Sequence, residues 1–387
     1  MAEAATAPPD FAIALSGGGA RAAYQVGLVR HLARRHPEIR FPIITGVSAG
    51  AINAAFLASR RGSLRTAAEE LSVLWESLLA EMVFAVDVPT LMANAARWAT
   101  RLASGGTPGV PHVRGLLDTA PLRVLLQRTL GSVDGEIPGI QENLERGLLH
   151  AAALTGLSYS TGQTVTWVQG RQITTWDRAN RRAVATPLTV DHVMASAALP
   201  LLFPAVRVGP QWYGDGGIRL AAPLSPALHL GARRILAIST RYARSFGEAD
   251  RPAIHGYPPP AQVVGHLLNA VFLDVLDEDV RRLRLVNTLV AKLPPAEREG
   301  LRCIDLLVLR PSVDLGRLAA EYEPRLPRAF RFLTRGLGSH QTASPDFLSL
   351  LMFQPDYLRR LIEIGEADAE ARRDELAAFV EGLRVAC

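Results

Sequence analysis

The chain has 387 residues, 48% hydrophobic and 20% charged, enough apolar material for the core of one large or two moderate domains. Its net charge of +5 comes from 42 Lys+Arg against 37 Asp+Glu, with Arg far ahead of Lys; no dense basic block is interleaved with aromatics, so nucleic-acid binding is not expected, while contact with anionic lipid headgroups is compatible with the charge but not required. The two cysteines, Cys303 and Cys387, form neither a disulfide framework nor a metal pattern, no apolar run reaches the length of a membrane span, and residues 1–10 lack the features of a secretory signal, so a reducing, cytoplasmic setting is expected.

Residues 1–10 read as a disordered tail. The apolar run Phe11-Ala12-Ile13-Ala14-Leu15 reads as a buried strand. It delivers the chain into Ser16-Gly17-Gly18-Gly19-Ala20-Arg21-Ala22, after which Tyr24, Val26, Leu28, Val29 and Leu32 recur at near-helical spacing. Three glycines at a helix start make a cradle of backbone N–H groups for an anion. One candidate anion is a dinucleotide pyrophosphate, since Gly17-x-Gly19-x-x-Ala22 loosely matches that fingerprint. It needs a carboxylate at the end of a second strand, and Glu38, the one nearby acid, precedes that strand. The other is the oxyanion of an acyl-transfer intermediate, with Arg21 adding positive field.

The next segment favours the second answer. Phe41-Pro42-Ile43-Ile44 reads as a strand and residues 51–58 as a helix, and between them stands Gly46-Val47-Ser48-Ala49-Gly50. Strand, tight turn, serine, helix is the setting of a nucleophile elbow. Gly46 and Gly50 leave room where a Cβ would obstruct the turn, and the helix dipole points at the serine.

Residues 67–82 show an amphipathic helical pattern: Leu71, Leu74, Trp75, Leu78, Leu79 and Met82 share a face. Further helical stretches follow, broken by a loop at 104–109. Residues 63–148 therefore form a helical excursion, longer than a crossover needs, which predicts a cap over the site. Strands are expected at 151–157 and 163–168, a short helix at 190–198, and a Pro-bounded wall at 199–204. Gly214-Asp215-Gly216-Gly217 then holds a carboxylate on a glycine turn. Strands at 234–240 and 304–309, a helical face over 264–276 and a C-terminal helix beginning near Leu358 complete the pattern. Short strands alternating with helices imply a largely parallel sheet covered on both faces.

A serine needs a base to act as a nucleophile at neutral pH. Nine histidines are present, and none sits in a distinctive glycine-bounded turn. Asp215 does, so an aspartate acting directly on Ser48 is the better reading. Apolar walls would have to raise its basicity above the ordinary carboxylate value of about 3.9.

Together the segments 16–21, 46–50 and 214–217 resemble the patatin-like phospholipase family, in that family's order along the chain. Ala195-Ser196-Ala197-Ala198-Leu199-Pro200-Leu201-Leu202-Phe203-Pro204 and Trp212-Tyr213 are similar to it too. The resemblance covers roughly residues 11–220. It implies a three-layer α/β/α fold with a mainly parallel central sheet, plus the helical cap-like insertion. It implies Ser48 as nucleophile and Asp215 as proton acceptor. It further implies an oxyanion hole of Gly17, Gly18 and Gly19 supported by Arg21, an elbow of Gly46 and Gly50, and an aspartate loop of Gly216 and Gly217. The substrate it implies is a lipid acyl ester, with peripheral membrane contact compatible and no metal or cofactor. The expected organisation is a catalytic domain over 11–310, including the insertion at 63–148, and a mainly helical extension over 311–387. Two rival readings stand beside it: a nucleotide-binding module using the Gly17–Gly19 loop, and a catalytically silent membrane-associated scaffold. Oligomeric state is not legible.

Overall fold

The computed structural model of the protein describes residues 10–85, 88–105, 114–250, 257–272, 275–326, 331, 335 and 345–383. The tail expected at 1–10 lies outside these except for Asp10, as does most of the loop expected at 104–109.

Ten strands form one sheet: β1 (Phe11–Leu15), β2 (Ile43–Val47), β3 (Ala151–Ser158), β4 (Thr164–Gly170), β5 (Asp177–Arg178), β6 (Arg181–Ala185), β7 (Val206–Val208), β8 (Gln211–Asp215), β9 (Arg234–Ile238) and β10 (Asp305–Leu309). The order is β10-β9-β1-β2-β3-β4-β6-β5, with β8 also on β3 and β7 on β8. The five strands β10-β9-β1-β2-β3 are parallel throughout. Their near-continuous apolar sequences follow from burial on both faces. Phe11, Ile13 and Leu15 enter one core, while Ala12 and Ala14 enter the other. Ile235 and Ala237 share the second core with Ala12, and Leu236 and Ile238 the first with Ile13. This period-two division is what makes three layers.

The first core is covered by α1 (Ala23–Arg35), α2 (Ala49–Ser59), α3 (Leu64–Glu76), the short α4 (Ala80–Val83), α6 (Ala120–Thr129), α7 (Pro138–Glu145) and α8 (Val190–Ser196), with α5 (Val88–Ala103) between α4 and α6 in the chain. The second is covered by α9 (Ser225–His229) and α12 (Val275–Lys292), through Leu224, Ala227, Leu276 and Val280. Between these two helices come α10 (Phe246–Ala249) and α11 (Pro260–Phe272). The C-terminal stretch returns to the first face as α13 (Leu315–Tyr322), α14 (Asp346–Leu351), α15 (Pro355–Ala371) and α16 (Arg373–Val380). Leu358, Leu361 and Ile362 of α15 pack in the same core as α1, and Arg30 of α1 donates to Glu366 at 2.7 Å. No helix among the described residues is long and apolar enough to cross a membrane.

Three expectations need correction. The helix expected over 67–82 breaks after Glu76, because the Ser77 hydroxyl donates to the Leu74 carbonyl at 2.9 Å, and the chain restarts at Ala80. Strands β5 and β6 were not expected; they are arginine-bearing and partly exposed at the sheet edge, so no apolar run announces them. Cys303 is disulfide-bonded, whereas the sequence reading gave it no such role; two lone cysteines carry no pairing signal in their spacing. Cys387 lies outside the described residues.

Candidate active site

The register of the sheet brings the motifs together. Leu15 at the end of β1 pairs with Gly46 on one side and Ile238 on the other. Val47 pairs with Thr155, and the next residue of β3, Gly156, pairs with Asp215 at the end of β8. The chain therefore leaves β1 into the glycine loop, β2 into Ser48 and β9 into Ser239-Thr240, all at the same edge. The β1–β2 and β9–β10 connections run to opposite sides, so the crevice opens where parallel sheets commonly hold their ligands.

Ser48 has φ 57° and ψ −133°, a strained left-handed conformation for a residue with a side chain. The turn is possible because its neighbours are glycines. A Cβ at Gly46 would lie 2.7 Å from the Ala54 Cβ, and one at Gly50 would strike the carbonyls of Leu15 and Ser16. Ser48 is 3% exposed. Its backbone N–H donates to the Ser196 hydroxyl at 3.0 Å, and that hydroxyl donates to the Thr155 carbonyl at 2.6 Å. Ser196 thus ties the elbow to β3.

The glycine loop lies directly against the serine: a Cβ on Gly17 would be 2.9 Å from the Ser48 Cβ. Gly18 and Gly19 have φ of 146° and 55°, conformations side chains rarely adopt. The N–H groups of Gly17, Gly18 and Gly19 have no acceptor among the described residues. The loop's carbonyls are occupied: Thr240 Oγ1 donates to Gly17 at 2.6 Å, Gln25 Nε2 to Ser16 at 2.8 Å, and Arg21 N–H to Gly18 at 3.1 Å. Gln25 Oε1 accepts from Asn53 at 3.0 Å, and Asn53 accepts from Trp75 Nε1 at 2.8 Å. With the carbonyls pinned, the loop's amides are the groups left over to meet an anion.

Arg21 is buried and engaged away from the serine. Its Nε donates to Ser349 at 2.6 Å and its Nη2 pairs with Asp346, whose other oxygen accepts from Asn269 at 2.6 Å. The arginine anchors the loop to α14.

Asp215 is fully buried. Its Oδ1 accepts from the Gly217 N–H at 2.9 Å, while Gly216 backs onto the Thr155 carbonyl. Burial pushes the carboxyl up from 3.8 to about 7, with the Ser48 hydroxyl and the Gly217 N–H pulling the other way. The hydroxyl is thus a close neighbour of the carboxylate, yet Oδ2 receives no hydrogen bond of full geometry among the described residues.

Ser48 opens on an apolar cavity lined by Leu74, Trp75, Leu78, Leu122, Leu126 and Phe353, among others, with about 40 Å³ of free space. That holds a few waters and not an acyl chain. No described histidine lines it. His192 closes the capping box of α8 and packs on Trp167 with centroids 4.7 Å apart; burial pushes its pKa down to about 4. His229 stacks on Trp176. His112, His255 and His340 lie outside the described residues.

The structure therefore brings Gly17, Ser48 and Asp215 to one point and sets Arg21 behind them. Sequence reasoning gave no role to Ser196, Thr240, Asn53 or Phe353. For Thr240 a signal existed, since it ends the strand beside β1, where this sheet type places its sites. For Phe353 there was none.

Residues 13–228 match the patatin-like phospholipase family. No curated protein is matched. Among solved structures, VipD from Legionella pneumophila is 12% identical, with 97% of this chain and 68% of that chain covered at a TM-score of 0.37. Human GIVD cytosolic phospholipase A2 is 13% identical, with 97% and 62% covered at 0.45. ExoU in its heterodimeric complex with SpcU, from Pseudomonas aeruginosa, is 16% identical, with 98% and 78% covered at 0.28. The family match takes in more than half of the chain and includes the glycine loop, the serine turn and the aspartate turn, and the chain accordingly belongs to the patatin-like phospholipase family, hydrolases of carboxylic esters.

Proposed function

We propose that this protein hydrolyses acyl esters of lipids, phospholipids or acylglycerols, through Ser48 and Asp215 with the Gly17–Gly19 amides as oxyanion donors. The observation that carries the reading is the strained Ser48 turn lying between unpaired loop amides and a desolvated carboxylate. Ser48 Oγ attacks the ester carbonyl carbon as Asp215 takes its proton. The negative charge developing on the carbonyl oxygen is met by N–H groups already held in place, so little reorganisation is needed. Collapse of the tetrahedral intermediate expels the alcohol, which leaves with the proton from Asp215. Water, giving its proton to the same carboxylate, attacks the acyl-enzyme and frees the fatty acid and Ser48. A base with a pKa near working pH suits both directions of transfer.

The apolar lining supports an acyl chain as the group received there. Hydrolysis of a medium-chain nitrophenyl ester tests the chemistry. Ser48→Ala and Asp215→Asn should each abolish it with the fold intact; full activity in either removes that residue's role. Labelling of Ser48 by a fluorophosphonate tests the nucleophile independently.

A further inference from the structure

A second cavity lies on the other side of α6. Leu122, Leu125 and Leu126 of that helix face the Ser48 cavity, while Ala120 and Arg123 face an open groove of about 770 Å³. Arg97, Arg114 and Arg207 also line this groove, with the half-exposed Trp212 at its side. Two carboxylates line it as well. Asp191 pairs with Arg123, and Asp118 Oδ1 accepts from the Ala120 N–H at 2.9 Å. Among the described residues, Arg97 donates to the neutral Asn94 Oδ1, at 3.1 Å, and Arg207 to the Gly209 carbonyl, at 3.2 Å. Among the described residues, no carboxylate pairs with Arg97, Arg114 or Arg207.

We infer that this groove binds the phosphate of anionic lipid headgroups and docks the protein on a bilayer. Four guanidiniums against two carboxylates give this concavity a net positive field that selects an anion. The apolar rim points to a bilayer rather than a soluble phosphate. Trp212, which lines the groove, is 45% exposed, and Leu201, three residues before the groove-lining Pro204, is 73% exposed. The Leu201 carbonyl accepts from Leu116 N–H at 3.0 Å, which ties this rim to the strand of chain bearing Arg114. An exposed aromatic among these arginines, with an exposed leucine three residues from the groove wall, has no use toward a dissolved ion but suits the headgroup boundary. Because α6 stands between groove and serine, the bound phosphate belongs to a neighbouring lipid and not to the molecule being cleaved. Docking through this face holds the helices that close the Ser48 cavity against the membrane.

The choice of a lipid as ligand rests on the proposed function, so the test avoids turnover. Ser48→Ala protein is sedimented with vesicles of phosphatidylcholine alone and of phosphatidylcholine mixed with phosphatidic acid. Binding is expected to the mixed vesicles and to weaken with added salt. The added triple substitution Arg97→Gln, Arg114→Gln, Arg207→Gln should weaken it on the order of a hundredfold, about fivefold per arginine. The corresponding Arg→Lys triple should keep most of it, which separates loss of charge from loss of fold. Equal binding by the Gln triple variant and its parent overturns the proposal. So does inorganic phosphate alone saturating the groove as tightly as the vesicles do, which would reassign it to a soluble phosphate ester. An inactive wild type on nitrophenyl esters, with vesicle binding intact, would sink the catalytic reading and leave this one standing.

Discussion

The two cavities on either side of α6 treat charge in opposite ways. At Ser48 the walls are almost wholly apolar, and the one carboxylate there is stripped of water and left with a single backbone donor. In the groove, four guanidiniums lie on an open surface, and among the described residues only Arg123 has a carboxylate partner. Burial makes the first charge more basic, because desolvation raises its affinity for a proton. Exposure makes the second set adhesive but inert, because hydrated arginines attract anions without changing protonation. One helix, with leucines on one side and Arg123 on the other, separates the two environments.

The largest predicted effect tests the buried side. Ser48→Ala should lower kcat on a nitrophenyl ester by about 10⁴-fold or more, and Asp215→Asn by about 10²–10⁴-fold. Wild-type kcat in Asp215→Asn would break the comparison outright.

A second prediction concerns stability. The folded-state pKa of Asp215, about 7, stands above the unfolded value of 3.8. The native chain therefore holds this proton more tightly, and the associated stability is present below about pH 4 and lost as pH rises through 7. Asp215→Asn, which cannot ionise, should then be more stable than wild type at pH 8 by up to about 4 kcal/mol, read from urea unfolding. A variant less stable than wild type at pH 8 would show that the carboxylate is not desolvated.

The pH profile sharpens the point from the activity side. With a neutral ester, kcat/KM should rise about tenfold per pH unit up to an inflection near 7 and level off above it. An inflection near 4 would mean that Asp215 sees water. The smallest effect is expected at Ser196. Ser196→Ala leaves the Ser48 N–H without its acceptor and should lower kcat about tenfold with KM little changed, at a cost of about 1–3 kcal/mol in stability. An unchanged kcat would mean that the glycines alone hold the elbow.

Much of the fold was legible because the central strands are short apolar runs set between helices. The strands expected at 11–15, 151–157, 163–168, 234–240 and 304–309 all lie in the sheet. Edge strands β5 and β6 were not legible, since their half-exposed residues need no apolar pattern. The site was legible where local backbone geometry demands particular residues. Glycines two before and two after Ser48, and the glycine run after β1, reflect positive φ and close approach. Arg21 shows the limit. Its place beside the glycine loop invited a role for its charge near the reaction, whereas its guanidinium is taken up by Ser349 and Asp346 in α14.

From the sequence alone came the local demands: where the chain must turn without a Cβ, which runs must be buried on both sides, and which serine and aspartate sit on such turns. These are short-range steric and solvation requirements, so they leave marks within a few residues. Tertiary structure alone decided that Thr240 would grip Gly17, that Ser196 would hold the Ser48 amide, that Phe353 would line the apolar cavity at Ser48 and that Arg97, Arg114 and Arg207 would share a groove. Those contacts depend on strand order and helix packing across long stretches of chain, and no neighbouring residue records them.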